Sequence, residues 1–217
     1  MNADRLLAEF DRLAEVPDAV PRLRRFVLDL AVRGKLVEQD HQRTPRSVPG
    51  SHALPSEALD ASDVWSVPAT WTFRPLASLA GKSGVFIDGD WVETKDQDPD
   101  GGVRLIQLAD VGLGTYRNRS SRFMNAVTAA RLNCTHLRVG DLLIARMPDP
   151  LGRACIFPGD AKPSVTVVDV AILRLGVDDI DAEFAVLALN APPFARNVEA
   201  KAAGTTRSRI SRGNLVS

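Results

Sequence analysis

The stretch Leu137-Arg-Val-Gly-Asp-Leu-Leu-Ile-Ala-Arg146 decides the fold class. Gly140-Asp141 is a turn signal, and the apolar run Leu142–Ala145 behind it is too short for a helix and too apolar for a loop. It reads as a buried strand. Its neighbours carry the same texture. Val103–Leu108 reads as a strand, Gly152–Phe157 as a short strand closed by Pro158-Gly159, and Val165–Leu175 as a β-branched run. Ala126–Leu132 reads as a helix, and Asp181–Ala203 as a helix interrupted at Pro192-Pro193. Strands followed by helices in this order predict a mixed α+β body over residues 69–217, its strand-and-turn texture beginning at Trp71. That span of roughly 150 residues is an ordinary size for one domain.

Upstream the period changes. Leu6, Leu7, Phe10, Leu13 and Ala14 recur at helical spacing until Pro17. Asp18 is placed to cap a second helix with Pro21 in its first turn, and Gly34 stands where a left-handed C-cap is expected. That second helix carries one apolar stripe, Leu23, Phe26, Val27, Leu30 and Ala31. Two such helices cannot bury both stripes on each other, so residues 1–40 are expected to dock on the main domain or on a partner. Residues 41–68 are broken by Pro45, Pro49, Gly50 and Pro55 and read as a linker.

Composition narrows the class. The chain of 217 residues is 45% apolar, ordinary for a globular protein with a real core. Its two cysteines, Cys134 and Cys155, suggest a reducing compartment rather than a disulfide scaffold. The N-terminus has no apolar signal-peptide core, and no apolar run approaches the length of a membrane span. The expectation is a cytoplasmic protein without membrane association.

Net charge is zero, but the charges are segregated. Five arginines and no carboxylate lie between Thr115 and Arg138, and four arginines with Lys201 face one glutamate from Arg196 onward. Acid gathers at Asp88–Asp100 and again at Asp178–Glu183. A polarised molecule of this kind can steer onto DNA with one face while remaining neutral overall.

No motif for bond-making chemistry stands out. Gly112-Leu-Gly114 lacks the third glycine of a cofactor-phosphate loop, and Met147-Pro-Asp-Pro-Leu151 lacks an aromatic residue to stack on a flipped base. Asp149 with Asp160-Ala-Lys162, and Asp88 with Glu93-Thr-Lys95, both fit a loose metal-nuclease pattern. Two unrelated matches show how little that pattern specifies, and a small metal-dependent nuclease stays the weakest reading. Cys134-Thr-His136 offers two zinc ligands without the other two. No metal and no cofactor are expected. What remains is binding chemistry: Tyr116-Arg-Asn-Arg-Ser-Ser-Arg122 combines an aromatic plane, guanidinium forks, an amide and hydroxyls, the groups that read base edges and phosphates.

Four strings in order carry a family resemblance. Phe26-Val-Leu-Asp-Leu-Ala-Val-Arg-Gly-Lys-Leu-Val37 with Gln39-Asp40 resembles the N-terminal helix of specificity subunits of type I restriction–modification systems. Val103-Arg-Leu-Ile-Gln-Leu-Ala-Asp-Val111, Gly140-Asp-Leu-Leu-Ile-Ala-Arg146, and Gly204-Thr-Thr with Ile210-Ser211 resemble that family's target-recognition domain. The resemblance implies a non-catalytic protein that reads one half of a bipartite sequence in double-stranded DNA. It implies two protein partners, a modification subunit that methylates adenine and a restriction subunit that cuts. A complete subunit has two recognition domains. One is found here, and Leu215-Val-Ser217 stands where a strand and a long helix are expected, so the chain reads as a half-size subunit working as a homodimer or as a shortened one.

The resemblance and the charge pattern together assign candidate DNA contacts. Base-edge contacts are expected from Tyr116, Arg117, Asn118, Arg119 and Arg122, with Arg146 and Arg153 on a second loop. Phosphate contacts are expected from Arg131, Lys201, Arg207, Arg209 and Arg212. Partner docking is expected from Leu23, Phe26, Val27 and Leu30. The alternative is a protein-interaction module that docks on a methyltransferase subunit or on itself and has little DNA affinity of its own.

Overall fold

The structure, a computed structural model, describes residues 17–39, 67–71, 73–176, 180–204 and 208–216. The helix expected over Leu6–Ala14, most of the expected linker and the Thr205–Arg207 segment lie outside the described residues.

The first described helix, α1 (Ala19–Val32), carries Pro21 in its opening turn as expected. Asp18 does not cap it: the residue sits in the left-handed region at φ 62° and its side chain makes no cap hydrogen bond. The C-terminal end does follow the sequence. Gly34 at φ 64° lets its own N–H donate to Ala31 (3.0 Å) and that of Lys35 to Leu30 (2.8 Å), satisfying two carbonyls the helix leaves open. A Cβ on Gly34 would lie 2.5 Å from Pro68, so the turn is pressed against the start of the main body. Gln39 completes the joint, donating to Gly34 O (2.8 Å) and accepting the indole N–H of Trp71 (3.0 Å). Trp71 in turn meets Phe184 edge-on, with ring centroids 5.8 Å apart. Through this joint α1 packs on the helices α3 (Ala182–Leu189) and α4 (Pro192–Ala200).

Seven strands follow Trp71: β1 (Val85–Ile87), β2 (Val103–Ile106), β3 (Phe123–Met124), β4 (Leu142–Ala145), β5 (Ala154–Ile156), β6 (Ser164–Thr166) and β7 (Val170–Arg174). One sheet runs β1-β7-β4-β5, antiparallel throughout. The other runs β3-β2-β6, with β2 antiparallel to β3 and parallel to β6. With the five described helices, this is the mixed α+β architecture the sequence predicts.

Alternation along the strands divides the core. Leu142 and Ile144 of β4, Ala171 and Leu173 of β7, Phe86 and Ala154 face α3 and α4, together with Ile210 and Leu215 from the C-terminal segment. The intervening residues Leu143, Ala145, Val170, Ile172 and Cys155 face the other way, onto Ile106, Val111 and Phe157. All four residues of β4 are buried because both faces of its sheet are covered. On the second sheet Val103, Leu105, Met124 and Val165 enclose Ala129 of α2 (Ala126–Arg131), whose N-cap Asn125 accepts the Thr128 N–H (2.7 Å).

Two departures from the sequence reading concern strands. The run Val165–Leu175 is not one strand. Val170 N–H turns back to Val167 O (2.9 Å), and the two halves enter different sheets as β6 and β7. Strands β1 and β3 were not anticipated, being only three and two residues long. The break between α3 and α4 falls at Pro192-Pro193 as expected, with Asp181 capping α3 through Phe184 N–H (2.9 Å). Just before that break Asn190 closes the outer edge of β5. Its amide accepts Ala154 N–H (3.0 Å) and donates to Ala154 O (2.9 Å), standing in for a neighbouring strand.

Candidate nucleic-acid interface

The segment from Val111 to Arg122 leaves the end of β2 as a hairpin and returns to β3. Val111 and Tyr116 form an isolated bridge, and Gly114 N–H donates to Ala154 O (2.9 Å) on β5. Beyond Tyr116 the main chain wraps around the carboxylate of Asp110, which is 0% exposed. Asp110 Oδ1 accepts the N–H groups of Arg119 (2.6 Å) and Ser120 (2.8 Å). Its Oδ2 accepts Gln107 N–H (2.8 Å) and the Ser120 hydroxyl, and its carbonyl accepts Arg117 N–H (2.7 Å). Asn118, at φ 51°, makes the tight left-handed step between the two arginines.

Arg117, Asn118 and Arg119 are exposed, and neither guanidinium meets a hydrogen-bond or carboxylate partner among the described residues. The neighbouring charge is positive as well. Arg153 lies beneath them, its guanidinium held below the ordinary arginine value by burial and then by the charge of Arg117, against a smaller pull from Asp149. Here, then, are cations that no carboxylate among the described residues neutralises by contact.

Tyr116 is half-buried and packs against the core beneath this surface. Its ring stands edge-on to Phe157 at 5.5 Å, and its hydroxyl is buried without a hydrogen-bond partner among the described residues. Burial pushes the phenol up to about 12. The half-buried ring is thus engaged with Phe157 and the core on one side, unlike the exposed arginines that follow it.

Arg146 and Arg153, expected on a second DNA-contacting loop, are structural. Arg153, 5% exposed, donates to the carbonyls of Val111 (2.7 Å), Leu108 (2.9 Å), Pro150 (2.9 Å) and Met147 (3.0 Å). Arg146, 6% exposed, donates to Asp88 (2.5 Å), Ile210 O (3.0 Å) and Val168 O (3.1 Å). Burial holds its guanidinium below the ordinary value, opposed by the Asp88 carboxylate. Both side chains use the guanidinium fork inward, to tie separate segments together.

The other expected phosphate contacts divide. Arg209 pairs with Asp169 (3.0 Å), while Arg212 donates to Phe86 O (2.7 Å) and lies 3.8 Å from Asp88. These bonds fasten the C-terminal segment to β1 and to the residue before β7, so the arginine-rich stretch is first of all a clasp. Arg207 lies outside the described residues, and Lys201 is half-buried at the end of α4. Arg122 and Arg131 are exposed and are brought to one place, where Arg122 donates to Gln97 (2.8 Å) and Arg131 to Asp96 (2.6 Å). Burial works against charge on Asp96, but the Arg131 guanidinium and the Glu93 N–H outweigh it and hold the carboxyl below its usual range.

Of the expected docking stripe, Leu23, Val27 and Leu30 are half-buried and Phe26 is 41% exposed. In the nuclease-like sets Asp160 binds Arg104 (2.5 Å) and Lys162 donates to Gly101 O (3.1 Å), while Asp88 is taken by Arg146 (2.5 Å) and Glu93 pairs with Lys95 (2.5 Å). Among the described residues no group of three His, Cys, Asp or Glu side chains is placed to hold a metal ion. No described helix is long and apolar enough to cross a membrane.

Sequence reasoning missed Asp110, Gln107 and Arg104 as the frame of the arginine loop. A signal was present, since Gln107 and Asp110 stand at the spacing of a reciprocal cap on the turn Leu108–Asp110.

No protein-family model matches the chain, and no curated protein matches it. Solved structures do. The chain is similar to one from a type I restriction–modification system whose assembly and conformational transition were studied, at 18% identity and TM-score 0.49, over 98% of this chain and 44% of that one. It is similar to the HsdS subunit from Thermoanaerobacter tengcongensis at 18% identity and TM-score 0.48, over 98% of this chain and 47% of that one. The type I restriction–modification S subunit from M. genitalium is matched at 15% identity and TM-score 0.39, over 66% of this chain and 36% of that one. This chain therefore spans less than half the length of each of these three solved chains.

Proposed function

We propose that this protein reads DNA sequence through the loop Arg117-Asn118-Arg119, as the recognition part of a type I restriction–modification specificity subunit. The observation that carries this is the pair of exposed guanidiniums, unpartnered among the described residues, on a loop with a defined main chain. Arginine forks onto guanine and asparagine onto adenine, and both also bind phosphates. Arg122 and Arg131, exposed beside Gln97 and Asp96, supply phosphate contacts at the flank, with Lys201 and Arg207 as further candidates. The four family-like strings supply the context: one half of a bipartite double-stranded target, a modification subunit that methylates adenine, and a restriction subunit. In that setting the chain is a cytoplasmic binding protein without catalysis of its own, with residues 69–217 as its recognition domain.

Selection of the purified chain on a random duplex library, at two salt concentrations, tests the reading. A short enriched motif, lost in Arg119→Ala, is the expected result. Weak binding that enriches nothing and vanishes with salt would leave only electrostatics and reject the reading.

A second reading draws on α1, where Phe26 and Val20 are exposed beside the half-buried Leu23, Val27 and Leu30. That stripe fits docking on the modification subunit or on a second copy. Leu30→Asp is expected to abolish such assembly; normal assembly of this variant in size-exclusion chromatography would reject it.

A further inference from the structure

Asp110 is an unusual residue to bury completely, because almost everything it binds is loop rather than sheet. Of the five hydrogen bonds it accepts, four come from Arg117, Arg119 and Ser120, and only Gln107, which also accepts the Asp110 N–H (2.9 Å), lies outside that segment. Arg104 supports it from below: Nη2 lies 3.6 Å from Asp110 Oδ1 and donates to Ser120 O (2.7 Å), while Nη1 is held by Asp160 (2.5 Å). The segment has two arginines, an asparagine and a serine and buries little apolar surface, so without these bonds its main chain would sample many conformations. Ordering it only on contact with a ligand would weaken binding, and a segment ordered beforehand avoids that loss.

We infer that Asp110 is the positioning residue of the DNA-reading loop: its buried carboxylate fixes the main chain at Arg119 and Ser120 while its carbonyl holds that of Arg117, so that Arg117 and Arg119 meet DNA in one geometry. The inference rests on the reading of that loop as the DNA-contacting element. Asp110 itself touches no ligand and acts through the two arginines. Gln107 and Arg104 hold the carboxylate in register with β2.

Asp110→Asn keeps the shape but turns an amide NH2 toward donors that need an acceptor. The test measures binding of Asp110→Asn, of Arg117→Ala/Arg119→Ala and of the triple variant to the selected duplex and to a scrambled one. A thermal melt of each variant checks the fold. Asp110→Asn is expected to weaken binding to the selected duplex about tenfold or more, the order expected for one lost base contact, and to leave the scrambled duplex within about twofold. In the Arg117→Ala/Arg119→Ala background it should have no further effect, since the groups it positions are gone. Equal loss on both duplexes, or full additivity with the arginine variants, would overturn the inference and make Asp110 a purely structural residue. If Asp110→Asn does not fold, Ser120→Ala removes one donor to the carboxylate and leaves the main-chain bonds. A several-fold loss confined to the selected duplex is then expected, and unchanged affinity there overturns the inference. If Arg117→Ala/Arg119→Ala binds the selected duplex normally, the DNA-reading role of the loop fails and the inference fails with it. Loss in that variant with none in Asp110→Asn rejects the inference alone.

Discussion

Tyr116 turns its hydroxyl into the interior, where no described residue meets it. A buried hydroxyl with no partner has lost its water and gained nothing, so removing it should help the fold or leave it unchanged. Tyr116→Phe is expected to stabilise the protein by up to about 1 kcal/mol and to leave DNA affinity as it was. A calorimetric melt checks the first part, and a fall of several degrees would reveal a partner the buried oxygen needs. The same residue shows what a sequence cannot say about a side chain. In the string Tyr116–Arg122 the aromatic plane and the guanidiniums look like one surface, yet the ring packs against Phe157 and the arginines face solvent. Arginines were legible as a residue type but not by fate. Arg146 is buried because Asp88 and Ile210 O come to it from 58 and 64 residues away. Nothing local to Arg146 announces such partners.

Asn190 makes a testable statement about elements. Strand β5 is the edge of its sheet, and Ala154 would offer an open N–H there if the Asn190 amide did not occupy it, while its C=O, also bound by Gly114 N–H, would lose one of two donors. Asn190→Ala should cost about 1–3 kcal/mol and favour edge-to-edge association. Chemical denaturation and light scattering read the two effects; an unchanged midpoint would mean that water or a neighbouring loop replaces the amide. Among the elements, β4 was the most legible, because a four-residue apolar run behind Gly140-Asp141 has few other readings. The helix pair α3 and α4 was equally plain, because proline marks its break. Short β1 and β3 carry too few residues to establish a period. The run Val165–Leu175 hid a turn at Val167–Val170 because β-branched residues occupy both the strands and the turn itself.

For the molecule as a whole, ionisation of buried groups sets a limit on the alkaline side. Burial pushes the thiols of Cys134 and Cys155 up to about 11, and the Tyr116 phenol to about 12. In the unfolded chain these groups ionise at lower pH, so the stability they contribute is complete below their unfolded pKa values, near 8.5 for a thiol and 10 for a phenol. It is lost as pH rises through the folded values. Denaturation midpoints should therefore fall from about pH 9 upward, with Cys155 staying inert to thiol reagents until the protein unfolds. Rapid labelling of Cys155 in the native protein would contradict its burial. The α+β class and the segregation of charge were legible at this scale. The parallel pairing of β2 with β6 was not, since it joins Arg104 to Ser164 across intervening strands of the other sheet.

The clasp at the C-terminal segment also has a consequence in time. Ile210 and Leu215 fill the same core cluster as Phe86, and Arg212 reaches the Phe86 carbonyl across 126 residues of chain. During synthesis at typical rates, the ribosome takes on the order of ten seconds to travel that distance. Throughout that interval the apolar face of β1, β4 and β7 lacks its last cover. A nascent chain of this protein is thus a natural client for chaperones that shield hydrophobic surface, and it loses that character once Ile210 has emerged and seated.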